Sequence, residues 1–519
     1  MMDGPMDVAA AIPVSRRRML AMLAGTGAAV AGFGSAMAQT PRRGGRIRVA
    51  TISSSTEDTL DPAKGALSTD YCRHYMIYSG LTQFDEHLTP QPALAESFET
   101  SDHTVWRFRL RPGVQFHDGK ELGPADVIYS LLRHKQPATV SKVKTIADLI
   151  ESVAASGPRE VKIRLTGPNV DLPSILATSH FLIVKDGTTD FRLPVGAGPF
   201  RVTLFAPGER SIVVRNENYW KPGRPYLDEI ELIGIADEVS RVNALLSGDV
   251  QLVNTVNPRS IKRLERSPDH ALLEAKAGVY TDLIMRQDRL PTRNPDFVLA
   301  LKLLLDRDLI RNALYHGYAT IANDQPILPS HRYYLADLPQ RPYDPDQAKF
   351  LLKRAGLLDV RLPVYAAYAA DGSVDMASIL QDEAAKIGLR LAVNRVPSDG
   401  YWSNHWMKHP LTYGNVNPRA TPDLVFSQFF KSDAPFNESG WNNPQFDQLL
   451  IAARGEADDA KRKQMYGDMQ VMVNQSCGIG IPVFISSLDG FDRRLKGFGS
   501  IPIGGLMGYS FAEYVWLED

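Results

Sequence analysis

Cysteine is nearly missing from this chain, which has only Cys72 and Cys477 in 519 residues. No C-x-x-C pair occurs and Cys72 stands alone with His74, so the sequence offers no cysteine and histidine zinc motif. In an oxidising compartment the two thiols could join across a very long loop. Two separate buried thiols is the favoured reading, because cysteine often serves as a small core residue. A dominant charge sign is also lacking: 58 Lys and Arg face 59 Asp and Glu, for a formal net charge of −1. That balance gives no bulk attraction to nucleic acid or anionic membrane, and neither is expected as a partner. Long apolar runs are absent too. The nearest candidate, after Met19, is Ala/Gly-rich and roughly 15 residues long, against the ~20 that span a bilayer.

Catalytic signatures are equally scarce. There is no G-x-S-x-G nucleophile elbow and no H-E-x-x-H zinc helix. The run from Gly113 to Lys120 superficially suggests a phosphate loop, but it has one residue too many between its glycines, and Glu121 stands where Ser or Thr would hold magnesium. His405 and His409 are spaced to share a helix face, yet Pro410 follows and no third ligand is evident. No enzyme, cofactor or metal site is therefore expected.

A length of 519 residues with 44% hydrophobic and 23% charged content implies a compact multi-domain protein. Residues 1–38 read as an export leader: Ser15-Arg16-Arg17-Arg18-Met19-Leu20, a weakly apolar run to Phe33, then Ala36-Met37-Ala38 before Gln39. The S-R-R-x-apolar-Leu pattern resembles a twin-arginine signal, which implies a periplasmic mature protein.

Beyond the leader, alternation predicts strands at Arg46–Ala50, Thr104–Leu110, Val161–Leu165, Ser211–Arg215, Ile230–Ile235 and Arg390–Val396. Helical periodicity predicts helices through Tyr71, Tyr75 and Tyr78, after Gly123-Pro124, through Val298, Leu301, Leu305 and Leu309, from Asp344-Pro345, and from Asn443-Pro444. Strands interleaved with helices of this length indicate α/β layers. Ser398–Asp447 concentrates rings and amides: Tyr401, Trp402, Trp406, Tyr413 and Trp441 with Asn415 and Asn417. Rings supply rigid contact area and amides supply oriented hydrogen bonds, a composition suited to a small-molecule pocket or, alternatively, to a loop packing its own core.

The run WRFRLRPGVQFHDGKELGPADVIYSLLR, Trp106 to Arg133, resembles the signature of the family 5 extracellular solute-binding proteins. Further blocks follow in the family's order: Gly196-Ala197-Gly198-Pro199-Phe200, Arg215-Asn216-Glu217-Asn218-Tyr219-Trp220, Ser247-Gly248-Asp249, Leu305-Asp306-Arg307, Tyr343-Asp344-Pro345 and Asn443-Pro444-Gln445-Phe446-Asp447. This resemblance implies a two-lobed periplasmic binding protein with a ligand cleft and a three-domain architecture. Domain I would gather 42–82, 190–275 and 482–519, with 83–189 inserted as domain II and 276–481 as the far lobe, domain III. The last segment, Phe511 to Leu517, would return to domain I as a strand. The implied role is that of a monomeric receptor delivering a short peptide or small solute to an ABC permease in the inner membrane. An exported hydrolase on a peptide-like substrate and a nickel or metal-chelate receptor are the alternatives.

Within the resemblance, Ser398–Asp447 falls where relatives contact ligand. Peptide-binding members usually place an aspartate a few residues before Pro-Asp, where it holds the peptide ammonium; here Asn417 or Pro418 occupies that place, ahead of Pro422-Asp423. Arg419 adds the opposite charge, and Arg286 stands where many relatives have asparagine. A guanidinium suits a carboxylate or phosphate, so the two arginines favour an acidic solute over a free amine. Each also has a plain structural reading, Arg419 paired with Asp423 and Arg286 with Asp282 or Asp288. The expected ligand-binding set is Tyr401, Trp402, Trp406, Asn415, Asn417, Arg419, Trp441 and Arg286. Stacking on the solute and anchoring the core remain alternatives for the three tryptophans.

Overall fold

A computed structural model describes residues 40–52, 55–499 and 501–518. The export leader expected at 1–38 lies outside the described residues. Among the described residues, no helix is long and apolar enough to cross a membrane.

One twelve-stranded sheet runs through the molecule. Its centre is the antiparallel pair His270–Met285 and Val483–Asp492, in register from His270 opposite Asp492 to Val279 opposite Ile485, with a shift between Ala275 and Val279. On one side of this pair lie Leu252–Val253, Arg46–Thr51, Glu229–Gly234, Arg210–Arg215 and Phe200–Ala206; on the other lie Leu411–Val416, Arg361–Ala366 and Arg390–Arg395. A separate four-stranded antiparallel sheet orders Ala95–Thr100, Val105–Leu110, Glu160–Leu165 and Ile150–Gly157. Alternation explains that sheet: Trp106, Phe108 and Leu110 point into a core with Val127, Leu131 and Ile163, while Arg107 and Arg109 face water. The mixed α/β, two-lobed class implied by the sequence is the class observed.

Side-chain caps open several of the longer helices. Asp344 accepts from the Gln347 amide at 2.8 Å and opens Pro345–Arg354; Asn443 does the same for Pro444–Gly455 through the Gln445 and Phe446 amides. Two expectations need correction. The face through Val298 and Leu309 is not one helix: Pro295–Leu303 stops, and Asp306 caps a fresh turn by accepting from the Leu309 amide. The break lets Arg307 reach inward to Asp324 at 2.8 Å, where both side chains are buried. The C-terminal segment is not a strand throughout either. Phe511–Glu513 is a 3-10 turn with Phe511 and Ala512 in the core, and only Trp516–Leu517 pairs, with Leu495–Lys496, outside the large sheet.

Cys72 and Cys477 are both free and buried, in different apolar clusters. Burial raises both thiols, Cys477 to about 11, which keeps them protonated and inert.

Candidate functional site

The strand Leu411–Val416 lies in the sheet directly against His270–Met285, with Val416 opposite Tyr280 and Asn415 opposite Thr281. Beyond Val416 the chain turns through Asn417 and Pro418 to Arg419. Thr421 then accepts from the Leu424 amide and starts the helix Pro422–Phe429. This turn forms one wall of a small recess with a cavity volume of about 50 Å³. Tyr280, Ile327 and His331 continue that wall, and His87, Leu88 and Pro502 approach from segments far away in sequence.

Arg419 is the notable group in this wall. Its Nε donates to Gln428 Oε1 at 2.6 Å, and its Nη1 donates to the carbonyls of Asn417 at 2.9 Å and Pro418 at 3.3 Å. Every one of those partners is neutral. No carboxylate among the described residues lies within ion-pair distance, whereas the buried Arg133, Arg307 and Arg462 meet aspartates at 2.8, 2.8 and 2.6 Å. Asp423, the one acid expected to pair with Arg419, is taken by Arg454 at 3.0 Å. Burial lowers the Arg419 pKa, and the Tyr280 and Tyr71 hydroxyls act in the opposite direction. A guanidinium stays protonated through such a shift, so the recess holds an uncompensated positive charge. The Tyr280 hydroxyl is buried with no hydrogen-bond partner among the described residues. His180, lowered by burial and by Arg419, is a neutral ring here, and it packs edge-on to Tyr71 with centroids 5.4 Å apart.

The other expected residues divide. Asn417 lines the recess, while Asn415 is engaged by its neighbours, donating to Thr281 Oγ1 at 2.9 Å. Tyr401 is fully buried and donates its hydroxyl to the Tyr413 carbonyl at 2.7 Å, so it anchors the core. Trp441 is buried against Phe446, with ring centroids 5.1 Å apart. Trp402 is exposed, and Trp406 is half-buried with its indole N–H donating to Glu438 Oε1 at 2.7 Å. Arg286 pairs with Asp288 and donates to the Glu438 carbonyl at 3.2 Å, which occupies it away from the recess. His405 and His409 stack on Tyr365 and bond to each other at 3.2 Å. No group of three His, Cys, Asp or Glu that could hold a metal occurs among the described residues.

Comparison with known proteins bears on this geometry. The family described as "Bacterial extracellular solute-binding proteins, family 5 Middle" matches residues 89–438. The chain belongs to this family. Proteins of the family are binding receptors. Among curated relatives, a glutathione-binding protein of Pectobacterium atrosepticum is 26% identical over 461 residues, covering 85% of this chain and 89% of its own. Heme-binding protein A of Haemophilus influenzae is 29% identical over 473 residues, covering 82% and 85%. Of solved structures, the periplasmic binding protein DppA of Helicobacter pylori with peptide STSA superposes with a TM-score of 0.78 at 23% identity, over 92% of this chain and 99% of its own. The binding protein AgaA of A. tumefaciens with agropinic acid gives 0.76 at 24%, again over 92% and 99%.

Sequence reasoning missed Tyr280, Gln428, Tyr71 and His180. Tyr280 lies inside a long strand and reads as one more core ring, and Tyr71 reads as one more ring in a packed helical stripe. Gln428 and His180 become relevant only when segments far apart in sequence converge.

Proposed function

We propose that the chain is an exported, periplasmic receptor of an ABC importer. It captures a carboxylate-bearing, peptide-like small solute between its lobes and presents it to a permease in the inner membrane. The observation carrying this reading is Arg419, a cation held by neutral acceptors in the wall of a recess and lacking any carboxylate partner among the described residues. Arg419 is half-buried, and a partly desolvated charge without a counter-ion favours a ligand that supplies the anion. With Pro418 and Asn417 where peptide-binding members usually have an acid, a free ammonium group finds no anchor there. Peptides, glutathione and agropinic acid, named for relatives and structural neighbours, all carry carboxylates, which agrees with this reading.

In this reading the lobes divide as 42–82, 190–275 and 482–519 with 83–189 inserted, against 276–481. The register shift between Ala275 and Val279, in the strand that joins both sides of the large sheet, supports a hinge there. Arg16 and Arg17 direct export, with cleavage after Ala38; replacing both by lysine should leave unprocessed precursor in the cytoplasm.

Mature protein should show a thermal shift with at least one member of a panel of peptides, opine-like conjugates and organic acids, with sugars and nickel salts as controls. Native mass spectrometry of freshly exported protein should reveal a retained acidic solute. Arg419→Ala should then lower affinity at least about tenfold, the loss of a half-buried charge contact to the solute. Unchanged affinity would remove Arg419 from the site, and turnover of the solute would favour an enzyme instead.

A further inference from the structure

The recess around Arg419 is small and sparsely charged. Its volume of about 50 Å³ admits only a few heavy atoms, since one water molecule needs roughly 10–15 Å³ in the same measure. Leu88, Pro326, Ile327, Leu328, Val425 and Pro502 give it an apolar lining. Among the described residues that line it, none is Asp, Glu or Lys, and Arg419 is the one arginine. The His331 ring in the wall is already committed. Its Nδ1 accepts from the Tyr333 amide at 3.1 Å, and desolvation lowers its pKa to about 4, so it is neutral near pH 7. Arg419 keeps its Nη2 uncommitted, because Nε and Nη1 make all of its hydrogen bonds to described residues.

One guanidinium balances one negative charge. A phosphomonoester or a second carboxylate would bring a further charge against the apolar lining with no partner there, which is costly. A methylene buried in the same place gains about fourfold in affinity. We infer that the recess takes a singly charged carboxylate carrying a short aliphatic branch, and that it excludes at this end both a second acidic group and a large ring. The solute class is then an acid with an alanine- to valine-like terminus. This inference rests on Arg419 as the anion anchor, but its own content is the selection by charge and size beside that anchor. Leu88 offers a handle on the selection from a distant segment. Its backbone is left-handed, with φ 57°, a conformation that asparagine tolerates better than most residues. Leu88→Asn therefore places an amide in the lining and keeps the turn in which the Leu88 amide donates to the Asp85 carbonyl at 3.1 Å.

N-acetylglycine, N-acetyl-L-valine, N-acetyl-L-aspartate and N-acetyl-L-tryptophan share one carboxylate-bearing frame and differ in the group beside it. Calorimetry should find the valine probe bound at least about tenfold more tightly than any of the others. Leu88→Asn should reduce the valine-to-glycine affinity ratio to below about threefold, with an unshifted melting temperature as the check on folding. Leu328→Ala, at a second point of the lining, should reduce the ratio in the same direction. Equal affinity for valine and glycine, aspartate or tryptophan bound as tightly as valine, a ratio that survives both variants, or no binding of any probe overturns the inference. Arg419→Ala separates it from the reading on which it rests. If that variant leaves every affinity intact while the valine preference persists, the anion anchor fails and the aliphatic pocket stands. If it costs every probe about tenfold but valine holds no preference, the anchor stands and the selectivity is overturned.

Discussion

Asp282 and Glu438 show how a single residue pair can set the protein's response to pH. Both are buried around Gly414, where an added Cβ would collide with Glu438 Oε1 and come within 2.7 Å of Asp282 Oδ1. Burial raises both carboxyls, and Asp282 pushes Glu438 further up, so the pair retains a proton that ordinary carboxylates release. Unfolding lets those groups titrate near pH 4, so the folded state binds more protons above that point. Stability is fully present in acid and declines as pH rises from about 4 toward neutrality. Asp489, which burial pushes up to about 7, contributes with the same sign. Asp282→Asn replaces the shared proton with an amide and should flatten, without abolishing, the fall in melting temperature between about pH 5 and 8. An unchanged slope would mean the pair does not share a proton.

At the scale of elements, the glycines of Gly196-Ala197-Gly198-Pro199 explain why one sequence block pins two others. A Cβ at Gly198 would collide with the Ile77 carbonyl carbon and lie 2.5 Å from the Tyr78 amide nitrogen. The Gly198 amide donates to the Ile77 carbonyl at 2.9 Å, and the Gly198 carbonyl accepts from Asn216 Nδ2 at 3.0 Å. The block thus clamps the end of the helix Ser68–Ile77 to the turn after Arg210–Arg215. Gly198→Ala must shift backbone rather than a flexible side chain, and should destabilise by about 1–3 kcal/mol or more in urea titration. A neutral effect would show that this junction is slack. The sequence displayed the block as a family signature without any sign of the contact that makes glycine necessary. The caps at Asp344 and Asn443 were legible because a cap is decided by residues three positions apart. The interruption after Leu303 was not, because a partner far along the chain, Asp324, draws Arg307 inward.

For the whole molecule, the proposed lobe division puts a buried ion pair at the joint between the inserted segment and the far lobe. Arg462 Nη2 meets Asp171 Oδ2 at 2.6 Å with both side chains at most 3% exposed, and the Val170 amide donates to the Arg454 carbonyl at 3.0 Å nearby. Removing one member strands a charge, so Arg462→Met should cost about 3–5 kcal/mol, while Asp171→Asn added to it should restore most of the loss. Additive losses in urea unfolding would contradict a direct coupling. Because the pair would span the lobes in that division, the double variant is also expected to show a larger radius of gyration in solution scattering without solute.

Local periodicity, capping pairs and collinear motifs let the sequence by itself determine the α/β class, most element positions and the family resemblance, since each depends on residues close together in the chain. It also placed Asn417 or Pro418 where the resemblance implies an acid, with Arg419 beside them. Only the tertiary structure decided that this arginine has no carboxylate partner among the described residues, because its nearest candidate, Asp423, is claimed by Arg454 from the next helix. The same convergence buried Tyr401 and Trp441, occupied Arg286 with Asp288, and left Trp402 and Phe436 facing solvent. Burial and pairing depend on which distant segments meet, and neighbouring residues in a sequence do not encode that.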